Sequence, residues 1–96
     1  MKVYQINYDL RKQRNYDALY QKIKSYGTWS HPLKSCWILV SEQSAEQIRN
    51  NLFSVMDNDD GILVTRLYPE AAWKNLDSDK DKSMTDWLKK YIGAAS

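Results

Sequence analysis

The chain has 96 residues, enough for one small domain with a single core but short of the size at which burial is comfortable, so a partner surface would help it. Fourteen Lys and Arg against twelve Asp and Glu leave a formal charge of +2, which excludes a uniformly basic, histone-like surface and confines any nucleic-acid contact to local patches. No apolar run approaches the ~20 residues of a membrane span, no charged-then-apolar leader is visible, and Cys36 is the only cysteine; the expectation is a cytoplasmic, reducing location with no membrane association.

In chain order, the first element is a strand, Val3-Tyr4-Gln5-Ile6-Asn7-Tyr8, ending in the acidic Asp9 and running into the basic segment Leu10-Arg11-Lys12-Gln13-Arg14. Asn15 can cap a helix whose apolar positions Tyr16, Leu19, Tyr20, Ile23 and Tyr26 recur at helical spacing, with Gly27 as its left-handed stop. Thr28-Trp29-Ser30 is a short strand candidate. Pro32 predicts a turn before a stronger strand over 35–41. Ser44 and Gln47 form a capping-box pattern opening a helix with Ala45, Ile48, Leu52, Val55 and Met56 on one stripe. Residues 57–60 and Gly61 break that helix, and the β-branched segment 62–68, bracketed by Gly61 and Pro69, predicts a fourth strand.

The order β-α-β-β-α-β is that of a ferredoxin-like α+β fold, an antiparallel four-stranded sheet carrying two helices on one face. Residues 1–68 form this core. Residues 69–96 are an extension of the same domain, with a polar stretch over 77–82 and a last helix capped by Ser83 and carrying Met84, Trp87, Leu88, Tyr91 and Ile92 on one side. Tyr4, Ile6 and Tyr8 share one face of the first strand and Val3 and Gln5 the other, while the strand around Trp37 is apolar on both. A sheet face without helices and without polar alternation needs cover, so a second sheet, the last helix, or both should lie over it.

Taken together, Ile6-Asn7-Tyr8-Asp9, the helix segment from Tyr16 through Gly27-Thr28-Trp29, Leu33-Lys34-Ser35-Cys36-Trp37, the segment from Ser44 to Ile48, Asp59-Asp60-Gly61 through Val64, and the spaced Trp73 and Trp87 make nearly the whole chain resemble the SinR-like branch of the small CRISPR-associated nuclease-fold proteins, the Cas-two-like family. The resemblance implies a homodimer formed through open sheet faces and association with RNA or DNA. It implies either magnesium-dependent (or manganese-dependent) endonuclease activity or a non-catalytic role as a scaffold or interaction protein, in a defence or toxin–antitoxin setting and with a protein partner. In the family the acidic residue ending the first strand is the proposed metal ligand, and Asp9 stands there. Trp29, His31 and Trp37 depart from the family's usual residues.

Metal-assisted phosphodiester cleavage needs hard oxygen ligands and a positioned water. Asp9 is therefore the candidate catalytic and metal-binding residue, and a twofold axis at the strand tips would bring its copy close. The structural alternative is that Asp9 caps the turn over 10–14. Arg11, Lys12 and Arg14, with Lys34 in the hairpin turn, are the candidate phosphate contacts, set against an ordinary solvated basic surface. His31 has no partner at triad or metal spacing, and Cys36 lies inside a strand, so neither supports nucleophilic chemistry. The acidic runs fail as calcium loops: placing Gly61 sixth puts Met56 first, and starting from Asp77 puts Lys82 at the glycine position. Residues 57–60 read as a helix stop and tight turn. Trp37 and Trp87 read as packing residues, not as a base-stacking platform.

Overall fold

The computed structural model describes residues 2–10, 16–68, 71–74 and 83–92, with no account of the side chains at 83–85. Its elements are β1 (Lys2–Asp9), α1 (Asp17–Lys24), β2 (Trp29–Leu33), β3 (Cys36–Ser41), α2 (Ala45–Phe53), β4 (Gly61–Arg66) and α3 (Ser83–Ile92). This is a small α+β architecture: one antiparallel sheet of four strands, in the order β2-β3-β1-β4, and three helices.

Strand alternation decides which side chains meet the helices. Tyr4, Ile6 and Tyr8 point to one side and are buried with Trp37 and Leu39 of β3, Leu19 and Ile23 of α1, and Ile48 and Leu52 of α2. Each large side chain closed off from water in this way contributes about 1.5–3 kcal/mol. The helix caps agree with the local sequence. Ser44 Oγ accepts from Gln47 N at 3.1 Å and Gln47 Oε1 accepts from Ser44 N at 2.9 Å, a reciprocal capping box. After α1, Gly27 takes φ +89°, where a β-carbon is disfavoured.

The opposite face is covered by the chain's own C-terminal part. Ile38 of β3 is buried against Leu88 and Ile92 of α3, and Val3, Leu67, Ala71, Trp73 and Trp87 pack around them. Of the covers expected for this apolar face, the last helix is therefore the one present within the protomer. Among the described residues, no helix is long and apolar enough to cross a membrane.

Three local expectations need correction. The residue preceding α1 is Tyr16, with no side-chain capping bond, while Asn15 lies outside the described residues. Pro32 does not end β2; the strand runs on to Leu33 across a register shift between Ser30 and Leu33, because an edge strand tolerates a residue with no N–H. The fourth strand spans Gly61–Arg66, earlier than 62–68, because Gly61 already pairs with Asp9. The polar stretch 77–82 lies outside the described residues.

Candidate functional site

One end of the sheet gathers the last residue of β1, the first of β4 and the turn between β2 and β3. Antiparallel pairing sets Asp9 opposite Gly61 and Asn7 opposite both Leu63 and Cys36. Asp9 is exposed, and a shallow groove of about 300 Å³ runs beside it, lined by Asn7, Tyr8, Gly61, Ile62 and Leu63. Lys34, exposed in the β2–β3 turn, reaches the same end, since its carbonyl oxygen accepts from Tyr8 Oη at 3.1 Å. Arg11, Lys12 and Arg14 lie outside the described residues.

Immediately before Gly61, the turn over 57–60 is stitched by its own carboxylate. Asp60 N donates to the Asp57 carbonyl at 3.0 Å, and Asp57 N donates to Asp60 Oδ2 at 3.0 Å. Tyr16 Oη donates to Asp60 Oδ1 at 3.1 Å, which ties the start of α1 to this turn. With those bonds made, Asp60 can be only 7% exposed without stranding a buried charge.

Asp57, Asp59 and Asp60 each bring one oxygen into a group whose members all lie within 4.8 Å of one another, so the three could hold a metal ion. Carboxylate oxygens are the right chemistry for a hard cation. Ligands on opposite sides of calcium stand about 4.8 Å apart and those around magnesium about 4.2 Å, so the spread fits the larger ion as it stands and magnesium after a small contraction. Nothing in the donor set singles out magnesium. The register that places Asp9 against Gly61 also puts it beside this turn. From sequence, Asp9 has only its own copy across a twofold axis as a further ligand and 57–60 read as a helix stop; the missed signal is that an antiparallel β1–β4 pair brings Asp9 and this turn to one end.

Behind the groove lies an aromatic cluster. Trp37 is 2% exposed, its indole Nε1 donates to Tyr8 Oη at 2.9 Å, and its ring stacks with His31 at 3.7 Å and 9°. Tyr20 stacks on Trp37 at 5.9 Å and Trp29 tilts against it at 5.4 Å. Burial pushes the Tyr8 phenol up to about 12, the Trp37 N–H bond working in the opposite direction. His31 Nε2 lies 3.1 Å from the Lys34 carbonyl, which accepts its proton, so this histidine is a packed structural residue. Cys36 is buried and its sulfur accepts from Gln5 Nε2 at 3.3 Å. Lys24 Nζ sits 5.3 Å from the Trp29 ring centre, a basic–aromatic contact that spacing along the chain did not reveal.

No protein family, curated protein or solved structure matches this chain.

Proposed function

We propose that the protein is a nucleic-acid-associated homodimer of the Cas-two-like kind, with a ferredoxin-like fold, holding a magnesium or manganese ion at the Asp9 end of its sheet and using it to hydrolyse phosphodiester bonds. The strand order β2-β3-β1-β4 is the one a β-α-β-β-α-β chain of that fold takes, which supports the fold assignment. The observation carrying the functional reading is the pairing of Asp9 with Gly61, beside three carboxylates whose oxygens lie within 4.8 Å. One protomer thus supplies several hard ligands at one place.

In this reading Asp57, Asp59 and Asp60 hold the ion and exposed Asp9 faces the substrate side. Lys34 stands at the same end as a point charge for phosphate, and Arg11, Lys12 and Arg14 follow Asp9 directly in the chain. A divalent ion held there supplies an activated water and neutralises developing phosphoryl charge.

A non-catalytic scaffold is the second reading, favoured by one observation: both Asp60 oxygens already accept hydrogen bonds within the protein, as in a purely structural turn. Cleavage assays on RNA and DNA with magnesium or manganese separate the two. The catalytic reading expects cleavage that is lost in Asp9→Asn and Asp59→Asn proteins that remain folded. Salt-sensitive binding with no cleavage by the purified wild type would leave the scaffold.

A further inference from the structure

The two edges of the sheet are unequally protected. β2 carries Pro32 and a register shift, both of which discourage a further strand from pairing. β4, the other edge, carries neither. Its bond pattern follows from the ladder: Leu67 N donates to the Val3 carbonyl at 2.9 Å, and in an antiparallel pair alternate residues turn their main-chain groups to the same neighbour. Leu63 and Thr65 therefore face β1. Ile62, Val64 and Arg66 direct N–H and C=O away from the sheet.

We propose that β4 pairs antiparallel with β4 of a second copy of this chain about a twofold axis at Val64, joining the two sheets edge to edge. The register is set by the outward residues: Val64 meets the partner's Val64, and Ile62 meets Arg66 of the partner subunit. Each such pair exchanges two N–H···O bonds.

Charge selects this orientation and this occupant. β4 begins at the acidic turn holding Asp57, Asp59 and Asp60 and ends at exposed Arg66, so it is acidic at one end and basic at the other. Antiparallel self-pairing sets each acidic end beside the partner's Arg66; a parallel arrangement would set like against like. Asp60, Ile62, Val64 and Arg66 alternate onto one face, so the arginine arrives on the side from which Asp60 meets Tyr16. Leu63, 62% exposed, gains cross-strand cover from the partner's Thr65. The partner thus contributes a cation to the end of the sheet where the acidic residues collect.

This inference takes from the proposed function only that the protein is a homodimer, not the ion or the cleavage, and it replaces the pairing through open sheet faces with the β4 edge because α3 covers that face. The test is amide hydrogen exchange on the full chain over a concentration series, read beside sedimentation mass. The expected result is a monomer–dimer equilibrium in which the amides of Ile62, Val64 and Arg66 slow with the dimer fraction. Arg66→Glu, at an exposed position, should weaken dimerisation by about ten-fold or more, and adding Asp59→Lys should restore it. A chain that stays monomeric overturns the proposal. So does a dimer in which these three amides exchange as in the monomer, which points to a face-to-face assembly. A dimer paired through β4 that cleaves nothing upholds this inference while removing the nuclease reading.

Discussion

Replacing Tyr8 by Phe deletes one hydroxyl from a site where two groups use it. The Tyr8 side chain belongs to a residue 8% exposed; its oxygen accepts from Trp37 Nε1 at 2.9 Å and donates to the Lys34 carbonyl at 3.1 Å. The Lys34 carbonyl keeps its contact with His31 Nε2, but the buried indole N–H of Trp37 loses its acceptor. An unsatisfied buried donor costs about 1–3 kcal/mol, so Tyr8→Phe should lose about 2 kcal/mol near pH 8. That gap should close in alkali. Burial raises the Tyr8 phenol from 10.0 to about 12. Between those values the native state keeps a proton that the unfolded state has released, so stability present below pH 10 falls as pH rises through the folded value. A rise of that size corresponds to about 3 kcal/mol, lost by the wild type and absent from the Phe variant. Urea unfolding followed by far-ultraviolet circular dichroism from pH 8 upward reads the difference, in which titration of the other tyrosines cancels. Parallel stability curves for the two proteins would refute the buried, hydrogen-bonded phenol.

Other substitutions test the frame around the site. Ser44→Ala removes the Oγ that accepts from Gln47 N, leaving the backbone N–H of residue 44 its bond to Gln47 Oε1, and should cost about 1 kcal/mol in chemical denaturation. Gly27→Ala meets open space, so its cost is the backbone's alone, about 1 kcal/mol from holding φ at +89°. Leu88→Ala removes the α3 side chain buried against Ile38; a loss of about 2–5 kcal/mol is expected, with increased binding of an apolar dye as the sheet face opens.

Local pattern carried much of the architecture. The alternation Tyr4, Ile6, Tyr8 assigned the helix-bearing face of β1, and the Ser44 and Gln47 spacing located the start of α2, because both signals lie within a few residues. Pro32 misled because its effect depends on whether the strand is central or at an edge, which is a property of the assembled sheet. The acidic end was half legible. Asp9 stands out at the strand tip with only its own copy as a further ligand, while residues 57–60 fail as a continuous calcium loop and read as a helix stop and tight turn. Their proximity to Asp9 comes from the β1–β4 register, and the bond from Tyr16 to Asp60 spans 44 positions, so neither is written in neighbouring residues. The contact of Lys24 with Trp29 arises in the same way, from a helix folding over a strand.

The decisive experiment for a cation site at this end of the sheet is a manganese titration followed by paramagnetic broadening of amide signals. Broadening should begin at Asp9, Gly61 and the turn over 57–60, and should be lost in Asp59→Asn. Broadening centred elsewhere, such as at Glu46 on exposed α2, or none at all, would contradict a cation site at this end of the sheet.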